Sequence, residues 1–239
     1  MQDQDTPNTR PERAIVLLSG GLDSATTLAM TVARGLEVWA LSFAYGQRAM
    51  AEVEASRRLC VALGVTQHRI VPLALDGLVE SALTGHDEVP ADGTGSRRHG
   101  VPTTYVPARN TVFLALALGL AETIGAHSIV LGANALDYSG YPDCRPEYLA
   151  RFNALAAVAT AEGAAGGRPI RIEAPLMALS KADIIRKGLA LGLDYRLTVS
   201  CYDPDPGGRP CGRCESCAIR ARGFAEVGVP DPALEQGTP

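Results

Sequence analysis

The chain has 239 residues, 46% of them hydrophobic and 20% charged, a balance that suits one large domain with a sizeable core or a domain with an appendage. Its formal net charge of −4 argues against direct nucleic-acid binding, because a protein that neutralises many phosphates carries a basic excess or a basic arm; a small-molecule substrate is favoured. No apolar run reaches the roughly 20 residues that cross a bilayer, and the opening MQDQDTPNTRPER has no apolar segment of signal-peptide type, so the expectation is a cytoplasmic protein with no membrane partner.

In chain order, residues 1–12 are polar and proline-containing, and residues 229–239 resemble them; both are expected to fray. Between them short β-rich runs alternate with helical patterns: AIVLL at 14–18, EVWALSF at 37–43, HRIVPL at 68–73, SIVLG at 128–132 and RIEAP at 171–175. Strands separated by helices predict βαβ units with right-handed crossovers, hence an α/β fold with a doubly wound, mainly parallel, Rossmann-like sheet. Gly35 and Gly64 stand where helices would end before the second and third strands. The polar, glycine-rich stretch 84–100 interrupts the alternation and reads as a functional or mobile loop. Residues 13–200 are expected to form the main domain and 201–228 a C-terminal appendage.

The first strand runs into SGGLDS, residues 19–24. Ligands of doubly wound sheets bind beyond the carboxyl ends of the strands, where helix N-termini offer unpaired N–H groups to anions. Gly20 and Gly21 allow positive φ and close backbone approach, and Ser19 and Ser24 can donate hydroxyls to the same oxygens, so phosphate is the natural guest. The stretch is neither a Walker A loop nor a dinucleotide fingerprint. It resembles instead the pyrophosphatase loop of ATP enzymes that adenylate a substrate and release pyrophosphate. Asp23, anionic like phosphate, is expected to orient this loop or to hold a Mg²⁺ ion that bridges the phosphates.

Four of the six cysteines, Cys201, Cys211, Cys214 and Cys217, fall as C-x₉-C-x₂-C-x₂-C. In a reducing compartment this reads as a metal site, with one Zn²⁺ per chain held by four thiolates and no open coordination position; an iron–sulfur cluster is the competing reading. Ser180 and Asp183 form an S-x-x-D start for a helix over 181–191, which puts Lys181 in a first turn whose dipole it opposes, so it is expected to face phosphate or an acyl-adenylate. His68 and His127 have no ligand or dyad spacing and are read as structural. Cys144 lies within the pocket loop, but no histidine is near it in sequence and adenylation requires no thiol.

PTTYVPARNTVFLA at 102–115, GANALDYSGYPDCRPEYL at 132–149 and APLMALSKADIIRKG at 174–188, taken with SGGLDS and the cysteine cluster, resemble the 7-cyano-7-deazaguanine synthase (QueC) family from about residue 13 to residue 230. That resemblance implies an adenine nucleotide alpha hydrolase-like fold with a zinc knuckle. It also implies ATP-dependent conversion of 7-carboxy-7-deazaguanine and ammonia to the nitrile, for queuosine biosynthesis, by a homodimer. It marks Leu18, Ser19, Gly20, Gly21, Leu22, Asp23, Ser24, Ala25, Thr26, Thr27 and Leu28 for the nucleotide, and Tyr105, Arg109, Asn110, Asp137, Tyr138, Tyr141, Asp143 and Arg145 for the deazapurine. Asp23, Lys181 and Arg109 are expected to carry the chemistry. Asp137 or Asp143 would accept from the guanine-like edge, Arg109 or Arg145 would fork onto the carboxylate, and Tyr105, Tyr138 or Tyr141 would stack on the ring. The alternatives are a tRNA-modifying adenylating enzyme of the same loop class and a non-enzymatic ATP-sensing zinc module.

Overall fold

The computed structural model describes residues 11–46, 50–75, 77–84, 89, 101–136, 140–205 and 207–234. Nearly all of the predicted loop at 84–100, together with Asp137 and Tyr138, lies outside the described residues. Five strands form one sheet: β1 (Arg13–Leu17), β2 (Glu37–Ala44), β3 (Gln67–Pro72), β4 (Ser128–Leu131) and β5 (Arg171–Glu173). Every pairing is parallel and the spatial order is β3-β2-β1-β4-β5, so the sheet is parallel throughout. The winding reverses between β1 and β4, which opens a crevice at the carboxyl ends of those two strands.

Seven helices occur among the described residues: α1 (Leu22–Ala33), α2 (Met50–Ala62), α3 (Arg109–Ile124), α4 (Pro146–Ala159), the single-turn α5 (Ala161–Ala164), α6 (Lys181–Ala190) and α7 (Glu215–Val227). Strand periodicity sorts the core into two layers. Ile15 and Leu17 of β1 with Ile129 and Leu131 of β4 pack against Leu114 and Leu118 of α3 and Phe152 of α4. Val16 and Leu18 with Val130 face the other way, onto Ala25 and Leu28 of α1, Ile184 and Ile185 of α6 and Phe224 of α7.

The helix after the cysteines therefore belongs to the second layer. Phe224 meets Tyr195 edge-on at 5.6 Å, and the Tyr195 hydroxyl lies 2.8 Å from Thr26 Oγ1 on α1. Arg220, on the same helix, makes a buried two-pronged pair with Asp231 at 2.7 and 2.9 Å, and it also donates to Thr198 Oγ1 and to the Tyr195 carbonyl. Residues 229–234, placed in a frayed tail by their composition, are held at Asp231 by this pair. Replacing Asp231 with Ala strands a guanidinium in the core, and equilibrium unfolding is expected to show a loss of about 3 kcal/mol or more.

Candidate active site

The chain leaves β1 at Leu17 and re-enters helix at Leu22, so the turn between them lies at the switch point. Gly20 has φ +93, and a Cβ there would stand 2.1 Å from the Glu52 carbonyl oxygen. Gly21 has φ −79 and ordinary space around a Cβ, the nearest atom being Ser19 Oγ at 3.5 Å. Of the two glycines expected to need positive φ and close approach, only Gly20 does. The two serines knit the turn: Ser24 Oγ accepts from Ser19 N at 3.2 Å and lies 3.0 Å from Ser19 Oγ. Ala25 and Leu28 are buried in the core, Thr26 Oγ1 bonds inward to Tyr195, and Thr27 Oγ1 donates to the Asp23 carbonyl; none of the four lines the cleft.

Lys181 begins α6, whose N-cap Ser180 accepts from Asp183 N, as the S-x-x-D pattern predicts. Its ammonium is buried and reaches Asp23 Oδ1 at 2.5 Å. The stem reaches that position because α7 has Gly223 beneath it, where a Cβ would come within 2.5 Å of Lys181 Cγ. Asp23 is the charge that offsets the dipole which Lys181 opposes.

A cleft of about 230 Å³ opens over the turn, lined by Ser19, Gly21, Asp23 and Ser24, by Gly132 to Asn134 beyond β4, and by Ser200 to Tyr202. One wall is aromatic: Phe43 and Phe113 stack at 4.0 Å, Tyr45 tilts against Phe113 at 5.4 Å, and the Arg109 guanidinium lies over both Tyr45 and Phe113. Arg109 Nη1 donates to Tyr45 Oη at 3.1 Å. Asn110 and Tyr141 line the same cleft, with the Tyr141 hydroxyl 2.7 Å from Thr104 Oγ1.

Three expected ligand residues lie elsewhere. Tyr105 is behind Tyr141, with its hydroxyl accepting from Ala108 N, and it does not reach the cleft lining. Arg145 is exposed at the start of α4. Asp143 is buried and serves as a cap: α3 begins at Ala108, which has φ +55 and no side-chain acceptor, and Asp143 Oδ2 accepts from Asn110 N at 3.1 Å.

Burial pushes the Cys144 thiol up to about 12, and neighbouring Asp143 adds to the shift, so this sulfur is not a nucleophile at neutral pH. His68 is structural as read: its Nε2 lies 2.8 Å from Ser42 Oγ, and burial lowers its pKa. Sequence reasoning passed over Ser200, which accepts from Leu22 N at 3.1 Å while Val199 N donates to the Gly20 carbonyl. It also passed over Glu52, whose carboxyl burial raises to about 7, tempered by the Arg109 charge. No motif marks either residue; helix α2 reads as an ordinary surface helix.

The sulfurs of Cys201, Cys211, Cys214 and Cys217 lie within 4.8 Å of one another, and the Cys201 and Cys214 sulfurs are 4.0 Å apart. Tetrahedral Zn–S bonds of about 2.3 Å set sulfurs roughly 3.8 Å apart, so the cluster has the dimensions of a four-thiolate site. The amides of Asp203 and Cys211 already point at Cys201 Sγ, at 3.3 and 3.2 Å. No helix among the described residues is long and apolar enough to cross a membrane.

Fold and site together define a doubly wound α/β protein with a glycine-rich turn at its switch point and a C-terminal four-cysteine cluster beside that turn. The family model of the queuosine biosynthesis protein QueC matches residues 13–228, and the chain belongs to that family. It is 58% identical over 221 residues to a 7-cyano-7-deazaguanine synthase of Frankia casuarinae, covering 92% of each chain. To the protein of that name from Myxococcus xanthus it is 55% identical over 222 residues, 92% of this chain and 96% of the relative. A solved 4-thiouridine synthetase–RNA complex with bound ATP aligns at a TM-score of 0.45 and 18% identity, over 94% of this chain and 52% of that chain, too distant to carry an argument.

The two glycines are separable by experiment. Gly20→Ala is expected to lower unfolding free energy by about 2 kcal/mol or more, from positive φ and the collision with Glu52, while Gly21→Ala stays within about 0.5 kcal/mol of the parent in the same denaturant titration.

Proposed function

We infer that this chain is an ATP-dependent enzyme that converts 7-carboxy-7-deazaguanine and ammonia to 7-cyano-7-deazaguanine in queuosine biosynthesis. The observation that carries this reading is the family match over residues 13–228, with relatives of that name more than half identical along most of their length. The tRNA-modifying and ATP-sensing alternatives are not favoured by those relatives.

In this reading the backbone of residues 19–24 and the hydroxyls of Ser19 and Ser24 take the ATP phosphates, and Lys181, held by Asp23, supplies the cation beneath them. Arg109 takes the 7-carboxylate in place of exposed Arg145. The aromatic wall of Phe43, Tyr45 and Phe113 is the surface for a planar ring, with Tyr141 and Asn110 at its edge. Asp137 and Tyr138 remain ligand candidates outside the described residues. Mg²⁺ accompanies the phosphates. Zn²⁺ on the four cysteines is structural, since every coordination position is filled by protein. A cytoplasmic homodimer completes the reading.

Removing both carboxylate oxygens demands two activations. The acid and ATP give an acyl-adenylate and pyrophosphate; ammonia displaces AMP to leave the primary amide; the amide oxygen is adenylated in turn, and loss of the second AMP leaves the nitrile. Mass spectrometry of the protein with ATP, Mg²⁺, ammonium and the acid is expected to show the nitrile and the amide before it. The synthetic amide with ATP and no ammonia is expected to give the nitrile as well; an unreacted amide beside a reacting acid would refute the double activation. Gly21 lines the cleft with room for a side chain, so Gly21→Val is expected to fold normally and to lose at least tenfold in ATP affinity by calorimetry, about 1.4 kcal/mol. Elemental analysis is expected to find one zinc per chain, lost in Cys214→Ser; iron in its place would overturn the assignment.

A further inference from the structure

We propose that the Glu52 carboxylate accepts the proton that leaves the reacting nitrogen in both activation cycles. This rests on the reading of function above and adds a catalytic residue to it. Glu52 stands in the first turn of α2, and its own carbonyl oxygen is the atom that excludes a side chain from Gly20, so the residue is fixed to the turn. Its side chain lines the same cleft as Ser19, Gly21, Arg109 and Asn110. Among the described residues it has no hydrogen-bond or ion-pair partner.

The other candidates for a proton acceptor are engaged or raised out of range. Asp23 is paired with Lys181, and Asp143 caps α3. The Cys144 thiol is pushed up to about 12, and burial raises the Tyr45 and Tyr141 phenols above their ordinary value. No histidine lines the cleft among the described residues. Glu52 is faced by the Tyr45 hydroxyl at the end of β2 and by Arg109 of α3, with the Asp23–Lys181 pair across the cleft; Glu54, Arg57 and Arg58 of its own helix are exposed. Burial raises the carboxyl to about 7 and the Arg109 charge keeps it from rising further, which places it near the operating pH, where a general base works best.

The first cycle releases one proton from nitrogen and the second releases two. Ammonia attacks the acyl-adenylate, a carbon–nitrogen bond forms, an N–H proton passes to Glu52, and the carbon–oxygen bond to AMP breaks with its electron pair on AMP. In the second cycle one of the two amide N–H protons passes through Glu52 to water as the oxygen is adenylated to the imidate and pyrophosphate departs. The imidate then gives its remaining N–H proton to Glu52. That bonding pair becomes the third carbon–nitrogen bond, and AMP departs. Water takes the proton from Glu52 after each transfer.

The test compares wild type, Glu52→Gln and Glu52→Asp by acid-dependent ATP–pyrophosphate exchange, which moves no proton at nitrogen, and by nitrile formation. Glu52→Gln is expected to melt no lower than wild type, since it removes a partly buried charge that has no hydrogen-bond or ion-pair partner among the described residues, and to keep exchange within about threefold. Its nitrile formation falls by about 100-fold or more from acid and amide alike. The wild-type rate rises with pH through about 7, as Glu52 loses its proton, whereas the Glu52→Gln rate follows free ammonia and lacks that limb; Glu52→Asp restores part of both. Loss of exchange together with nitrile formation would assign Glu52 to nucleotide or Mg²⁺ binding and overturn the proposal, as would nitrile formation at the wild-type rate. A wild type that exchanges but never forms the nitrile would refute the functional reading itself, and this proposal with it.

Discussion

The ion pair between Lys181 and Asp23 is the constraint on which the candidate site depends. Two opposite charges drawn from residues 158 positions apart, the lysine buried and the aspartate mostly so, hold each other, and removing either would take away the other's ion-pair partner. Their alignment requires several backbones to come close. Gly223 of α7 makes room for the lysine stem, and Gly132 beyond β4 lies so near that a Cβ would touch the Asp23–Ser24 backbone at 3.0 Å. Four segments distant in sequence are therefore packed around one charge pair, directly under the turn that faces the cleft.

The cysteine cluster joins the same construction. Val199 N bonds the Gly20 carbonyl, Ser200 Oγ accepts from Leu22 N, and Ser216 Oγ reaches the Ser200 carbonyl at 2.5 Å. The segment 199–201 is thus a short splint between the thiolate cluster and the turn. Cys201 itself lines the cleft. Anchoring the splint at the cysteines limits how far the turn can open, and that links the four-cysteine cluster mechanically to the cleft.

Much of this was legible in the sequence because it is written in local pattern. All five strands begin within one residue of the positions that their apolar runs indicate, SGGLDS falls at the carboxyl edge of β1, and Ser180 caps α6. What was not legible is long-range. The tilt of Asp143 onto α3 repairs a helix start that its own sequence leaves uncapped, and nothing in PDC announces it. Glu52 sits in MAEVEASRRL, a stretch whose charges read as solvent-facing, and only the packing of α2 over Gly20 brings its carboxyl inside. Phe43, Tyr45 and Phe113 carry no motif; that they wall a cleft, with Arg109 over Tyr45 and Phe113, comes only from their packing.

The cap that Asp143 provides has a consequence for how such a pocket can change over evolution or in the laboratory. Residues 141–144 supply the cleft with Tyr141 and Cys144 and, through Asp143 and its carbonyl, hold both the backbone and the side chain of Asn110. Pocket wall and helix start are one mechanical part. A loop exchanged to admit a different ring would also loosen the end of the helix that aims Arg109, so shape and charge in this cleft cannot be tuned independently. Variants with new specificity must bring their own substitute for the borrowed cap.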